Sequence, residues 1–418
     1  MPEQFRIYNT MSRSVETFKA RRDKKVGIFT CGPSTYRRPH IGNYRTFLYE
    51  DIVVRYLEYL GYEVHRVINF TDVEDKTIVE AEHKGKNIEE VTNEVHDHFF
   101  RETEMLGIQL PDEIPRSSTS VDQAVTIIKK LIKTGYAYWH EGDVFFDPLK
   151  FDGFGKLFRL DMSKWPKKKV RFKRDTYNGN RWNRGDFVLW HGHENEKTDS
   201  AYWDTDIGKG RPAWNIQDPA MILQQIGTQV DINCGGIDNI YRHHDYNIAV
   251  MEAYSGKSYA NYYMHGAHLI VDGKPMSKSR GNILYPEDLV KRGFEHKHLR
   301  FFLIYRHYRK KSNFTTDNFE RVSAKLDAFR GLYRELATTQ AAGERSESVT
   351  KLVESIETVF REAMNDDMFV GKAFDNVFEV LKRLREATKD QGLHPEQKAR
   401  LADHIRSIDR VFGVIIPQ

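Results

Sequence analysis

Apolar side chains return every fourth position at Leu48, Ile52, Tyr56 and Leu60, and Val53 and Leu57 widen the stripe. That spacing predicts a helix over about 42–60, with Gly61 available to end it in the left-handed conformation. Upstream, KVGIFTC at 25–31 is a short apolar run that meets the turn residues Gly32 and Pro33, as a buried strand would. A second strand over 63–70 completes a strand–helix–strand unit, whose natural product is a parallel sheet. Helical spacing recurs through Ile88, Val91, Val95 and Phe99, and again through Val121, Val125, Ile128 and Ile132.

From about 136 to 210 the pattern changes to aromatic and polar alternation with Gly and Asp turns, which predicts an inserted, strand-rich lobe. Helix and strand alternate again over 212–300, and beyond 315 the pattern is helical, with a loop at 338–347 and a breaker at 392–395. The expected class is α/β, in four parts. These are 1–135 as the first half of a Rossmann-like catalytic domain, 136–210 as the inserted lobe, 211–300 as its second half, and 301–418 as a C-terminal helical bundle.

Composition narrows the setting. The 418 residues suffice for about two or three domains with sizeable cores. With 39% hydrophobic and 30% charged residues, and no apolar run long enough for a bilayer, a soluble protein with no membrane partner is expected. The opening MPEQFRIYNT lacks the form of a signal peptide. Cys31 and Cys234 are the only cysteines, so no disulfide framework is expected and a reducing cytoplasm is the default. A net charge of +4 decides nothing about nucleic acid.

Two short segments carry chemistry. Pro39-His40-Ile41-Gly42-Asn43 stands where the first strand meets its helix, and helix N-termini offer free N–H groups to phosphate. Gly42 would admit a nucleotide close to the backbone, while His40 and Asn43 would donate to phosphate oxygens; a plain helix cap is the competing reading of His40. Met276-Ser277-Lys278-Ser279-Arg280-Gly281-Asn282 places a lysine on a Ser/Gly-rich loop, where it would neutralise charge on a departing pyrophosphate. Alone, it also reads as a basic surface loop.

In this order the two segments resemble the paired signatures of class I aminoacyl-tRNA synthetases. The surrounding residues are similar to the cysteinyl-tRNA synthetase family: Cys31-Gly32-Pro33 and Tyr36, Arg45-Thr46-Phe47, and Thr71 through Lys76. Gly142-Asp143-Val144, Asp186 through Trp190, Gly210 through Trp214, Gly235-Gly236-Ile237-Asp238 and His243-His244 continue the match, followed by His307-Tyr308-Arg309 and Asn365-Asp366-Asp367. The resemblance spans about 5–413 and implies a class I Rossmann-like fold acting on ATP with Mg2+. It assigns His40, Asn43 and Lys278 to catalysis, and these with Gly42, Gly235, Gly236 and Asp238 to ATP. Cys31, Thr71, Trp214, Asp218 and His243 fall in the amino acid pocket. On the residues alone, Asp238 is also readable as a turn residue and Trp214 as a core aromatic.

Three departures qualify what the resemblance implies. The family holds zinc with two Cys, a His and a Glu; here Cys31 and His243 remain, Asp218 stands for the second Cys and Asn247 for the Glu. Cys31, Asp218 and His243 would still hold zinc with an open position; without it, Asp218 would suit a substrate bearing a donor or positive charge. Cys234 is expected as a small buried residue. Pro275 replaces the first lysine of the loop, beside Lys274. The chain also stops about where the family's anticodon-reading domain would begin, an architecture shared with the mycothiol cysteine ligase, so a small amine and tRNA are both open as acceptors. The run Lys164, Lys167, Lys168, Lys169, Arg171, Lys173 and Arg174 keeps tRNA in view, although charge runs are more often solvated. A cysteine–tRNA ligase reading only the acceptor stem, and a non-catalytic adenylate or tRNA sensor, are the competing functions.

Overall fold

The computed structural model describes residues 4–416 except 165–184, 194–200, 340–343 and 390–391. The basic run beyond Lys164 lies outside the described residues. A hairpin, β1 (Arg6–Asn9) and β2 (Ser14–Thr17), precedes β3 (Lys25–Thr30). Val26, Ile28 and Phe29 of β3 are all buried, as in a strand covered on both faces. Next come α1 (Ile41–Tyr59) and β4 (Glu63–Ile68), with Gly61 at φ +86° closing the helix as its position predicts. After α2 (Asp75–Lys84), α3 (Ile88–Met105) and α4 (Val121–Lys133) the chain enters the strands β5 (Ala137–His140), β6 (Asp143–Phe146), β7 (Phe187–Gly192) and β8 (Gly210–Pro212). These four pair in sequence order, all antiparallel, and bury Val144, Phe146, Phe187 and Trp190 against α4 and its neighbours.

The second half repeats strand–helix–strand. After α5 (Trp214–Gln225) come β9 (Val230–Gly236), α6 (Asp245–Ser255) and β10 (Ala260–Gly266). The resulting sheet has the order β10-β9-β3-β4 and is parallel throughout. The connection through α1 leads one way along the sheet and that through α6 leads the other, so strand order reverses between β3 and β9. In open α/β sheets ligands bind in the crevice at such a point, above the carboxyl ends of the strands. Here those ends carry Cys31-Gly32 and Gly235-Gly236.

A small sheet of β11 (Leu269–Val271), β12 (Lys274–Pro275) and β13 (Ser312–Phe314) frames the lysine loop, with α7 (Pro286–Lys291) and α8 (His296–Tyr305) between. The remainder is helical: α9 (Thr316–Thr338), α10 (Glu347–Asn365), α11 (Val370–Thr388) and α12 (Pro395–Phe412). α8 and α12 pack on α1, which explains why α1 is buried well beyond its apolar stripe. Two of its buried ions, Arg45 and Asp51, find their partners through that packing. Arg45 donates to the carbonyls of Leu303 (2.7 Å), His307 (3.1 Å) and Lys310 (2.8 Å), and Asp51 accepts from Arg300 at 2.6 Å. No helix among the described residues is long and apolar enough to cross a membrane.

Candidate active site

A cavity of about 900 Å³ opens at the reversal point and is lined by residues from both signature segments and from the strand ends, among them His40, Asn43, Trp214, Asp238 and Lys278. At one wall, His40 caps α1. Its Nδ1 accepts from the amides of Gly42 (3.1 Å) and Asn43 (3.3 Å), and Asn43 Oδ1 accepts in return from the His40 amide at 3.0 Å. The cap reading and the phosphate reading are therefore compatible. With Nδ1 spent as an acceptor, the neutral ring carries its proton on Nε2, and burial lowers the His40 pKa, favouring that neutral form. Asn43 likewise keeps Nδ2 as a donor. A Cβ on Gly42 would come within 2.7 Å of Met276 Cε, so the room beside this glycine is filled by the lysine loop.

The loop itself is belted by Asn282, which accepts from the Ser277 amide at 3.0 Å and donates to the Pro275 carbonyl at 3.1 Å. Pro275 is accommodated because β12 is a two-residue edge strand. Lys278 is exposed and lines the same cavity as His40. Asp238 is exposed on the cavity rim after Gly236, where a Cβ would stand 2.6 Å from Asp238 Oδ1. Gly235 is held close to the His244 ring, leaving a Cβ only 2.8 Å from Cε1.

At the floor three donor atoms converge. Cys31 Sγ lies 3.4 Å from His243 Nε2 and 4.0 Å from Asp218 Oδ2, and the latter two are 3.0 Å apart. Zinc bond lengths of about 2.0–2.3 Å make the donor–donor edges of a tetrahedral site roughly 3.3–3.7 Å. The Cys31–His243 edge lies in that range and the other two fall just outside it on either side, so with small side-chain shifts these three donors would hold a zinc ion. Cys31, Asn69, Thr71, Trp214 and His243 line the cavity here, with the Trp214 ring stacked on His243 at 4.6 Å, while Asp218 is 1% exposed beneath them. Asp218 is held by Asn69 Nδ2 on Oδ1 (2.8 Å) and Asn247 Nδ2 on Oδ2 (3.1 Å). Asn247 therefore supports the carboxylate, and its own Oδ1 is buried with no hydrogen-bond partner among the described residues. Burial, reinforced by Asp218, pushes the Cys31 thiol well up, so a cation is needed to draw out its thiolate.

A second layer was not singled out from sequence. His244 Nε2 lies 3.0 Å from Cys31 Sγ, and its Nδ1 faces Asn233 Nδ2 (3.2 Å) and His265 Nε2 (2.8 Å). Tyr259 Oη donates to Asn233 Oδ1, which turns the amide nitrogen to His244. His244 is then the Nε2–H tautomer and donates to the sulfur. Burial, with His265 and His243 nearby, holds its pKa well below the usual value. Although Cys31, His243 and His244 cluster closely enough to share a metal, this tautomer makes His244 a support of Cys31. Only the adjacency of His243 and His244 hinted at it; Asn69, Asn233 and His265 lie in unremarkable strand sequence. Cys234 is fully buried, as expected of a small core residue.

Known proteins resemble this chain in sequence and in fold. The sequence pattern described as "tRNA synthetases class I (C) catalytic domain" matches residues 17–324, and that of the "DALR domain" matches 359–416. The cysteine–tRNA ligase of Chlamydia pneumoniae is 34% identical over 415 residues, covering 98% of this chain and 86% of the relative. That of Brachyspira hyodysenteriae is 34% identical over 413 residues, covering 98% and 85%. Among solved structures, Mycobacterium tuberculosis methionyl-tRNA synthetase in complex with methionyl-adenylate superposes with a TM-score of 0.67 at 13% identity, covering 94% of this chain and 90% of that one. A ternary complex of an Agrobacterium radiobacter LeuRS with tRNA gives 0.65 at 11% identity, covering 95% and 84%. At such identities these structures speak for the fold alone. One catalytic-domain pattern over most of the chain, and relatives a third identical along nearly all of it, place the chain in the class I aminoacyl-tRNA synthetases, as a member of the cysteine–tRNA ligase family of ligases.

Proposed function

We propose that this protein activates cysteine with ATP and Mg2+, retains the aminoacyl-adenylate and transfers the aminoacyl group to tRNA. The observation that carries the reading is one cavity joining the His40 turn, Lys278 and the Cys31–His243–Asp218 floor. The amino acid carboxylate attacks the α-phosphate in line, so the protein's task is positioning and charge stabilisation. His40 Nε2–H and Asn43 Nδ2 donate to phosphate oxygens, with Gly42 giving them a tight turn. Lys278 meets charge on the departing pyrophosphate. Gly235 and Gly236 bring the β9 end close to the nucleotide, and Asp238 accepts from the ribose hydroxyls. Trp214 and Thr71 shape the amino acid pocket. Cys31, Asp218 and His243 would hold zinc, which when bound supplies a soft Lewis acid for a thiolate.

Two observations favour cysteine over a cationic substrate. Asp218 lies beneath the cavity lining, and both of its oxygens already accept from amides. For the acceptor, the named relatives and the DALR pattern favour tRNA over a small amine. Residues 1–135 and 211–300 act in this reading as the two halves of the catalytic unit, with 136–210 inserted and 301–418 as the helical domain. Two buried free cysteines suit a cytoplasmic location.

An ATP–pyrophosphate exchange screen over all amino acids, with and without chelator, tests the reading. Cysteine-dependent exchange that chelator removes is expected; exchange driven by another amino acid and indifferent to chelator would overturn the choice of cysteine. Lys278→Ala should cut exchange by about 2–4 kcal/mol of transition-state stabilisation while ATP binding largely survives. Wild-type exchange by that variant would remove the loop from the mechanism.

A further inference from the structure

Arg38 stands two residues before the capping histidine and touches two helices, α3 and α7, together with the residue that leads into α7. Its Nε donates to Glu102 Oε1 on α3 at 3.0 Å, and its Nη2 reaches the same oxygen. Nη2 also lies 3.1 Å from Glu287 Oε2, in the first turn of α7. The guanidinium covers the Tyr285 ring at 4.6 Å from its centroid. Glu102 has a fully buried side chain, and its second oxygen accepts from Tyr44 Oη of α1 at 2.7 Å, whereas the Glu287 side chain is 30% exposed. The grip therefore has a fixed end inside the protein and a releasable end at the surface.

The releasable end belongs to the chain that leaves the lysine loop. That loop is mostly exposed, so its place relative to His40 depends on its two anchors. The first is β12, paired with β11. The second begins just past Asn282, where the Ile41 amide donates to the Leu284 carbonyl at 2.9 Å, followed at once by Tyr285 and Glu287 under Arg38. Both Arg38 and Tyr285 line the cavity.

We propose that Arg38 is a positioning residue for the adenylation step: by gripping Glu287 and Tyr285 from a base fixed on Glu102, it holds the Lys278 loop against the His40 turn so that both act on one set of phosphates. The proposal rests on the phosphate roles assigned above to His40 and Lys278. Arginine suits the task because its planar fork spans two carboxylates at once, which a lysine ammonium on a flexible stem does not reproduce.

Arg38→Ala would strand a buried Glu102 and risks unfolding, so the test starts at the exposed end. Glu287→Gln keeps the Arg38–Glu102 pair and should melt close to wild type. Its turnover in ATP–pyrophosphate exchange should fall about three- to tenfold, the scale of one partly buried charge pair, with KM for the amino acid unchanged. Arg38→Lys should match it, and the two together should lose little more than either alone. In a Lys278→Ala background neither change should lower the residual exchange, because the loop then has no lysine to position. Wild-type turnover by Glu287→Gln, with Lys278→Ala defective, overturns the role of Arg38 and leaves the loop assignment standing. A Glu287→Gln loss that persists undiminished in the Lys278→Ala background overturns it as well. Wild-type exchange by Lys278→Ala overturns the assignment of the loop and the proposal with it.

Discussion

Asp218 shows how much one side chain can settle. A buried carboxylate without partners is costly, and here two amides and a histidine surround it: Asn69 at 2.8 Å, Asn247 at 3.1 Å and His243 at 3.0 Å. The same oxygen that faces His243 also faces Cys31, so in the proposed site one geometry would serve both the metal and the hydrogen-bond network. Asp218→Cys exchanges a hard donor for a soft one. It should raise zinc retention through dialysis against chelator and leave cysteine-dependent exchange less sensitive to chelator, both read by metal analysis beside the exchange assay. Unchanged zinc retention would remove Asp218 from the metal site. Asp218 stands out in the sequence because it takes the place of a family ligand in a recognisable segment. Its depth beneath the cavity was not legible there, since nothing local in Trp214 through Asp218 says which layer a side chain reaches.

Among the elements, α1 was the most readable and its first turn the most informative. A repeat close to 3.6 residues identifies a helix wherever one face must meet a core, and Gly61 marks its end. At its other end His40 caps the helix and, in the proposed reading, donates to phosphate, and substitutions can separate the two roles. His40→Ala should lose exchange and also about 0.5–2 kcal/mol of stability with the cap. His40→Asn should restore the melting temperature, since asparagine caps well, while exchange stays low for want of the Nε2 donor. Recovery of exchange along with stability in His40→Asn would leave only the capping role. The lysine loop was legible by composition. Its anchors were not, because the contacts of the Asn282 side chain with the Pro275 carbonyl and of Arg38 with Glu287 have no periodic signature. Gly32 belongs here too. It reads as a turn residue, yet its need is steric: a Cβ would fall 1.9 Å from the Asn69 carbonyl oxygen on the neighbouring strand end.

Across the whole molecule the helical part is tied to the catalytic part at Asp367. Its carboxylate accepts from the Tyr8 amide (2.8 Å), Tyr308 Oη (2.7 Å) and Arg309 Nε (2.7 Å), joining β1, the segment after α8 and the α10–α11 turn. Burial alone would raise its pKa, and hydrogen bonds with the adjacent Arg309 charge outweigh that and hold it below the usual carboxylate range. A depressed folded-state pKa means stability that is present above the unfolded-state value and lost as pH falls through the folded one. Wild type should therefore outmelt Asp367→Asn near neutral pH, and the gap should close as the pH drops below the ordinary aspartate range; a gap independent of pH would show that the carboxylate charge is not what joins the parts. By itself the sequence determined the β3–α1–β4 unit, the strand-rich stretch that follows, the helical C-terminal part and the two signature segments, because helix and strand periods and turn residues are properties of neighbours in the chain. Only the tertiary structure decided which polar groups meet. Asn69 reaches Asp218 across 149 residues and Arg45 reaches Leu303 across 258, and such pairings follow from strand order and register in a sheet that reverses between β3 and β9, where a contact near 3 Å leaves no mark on the local pattern.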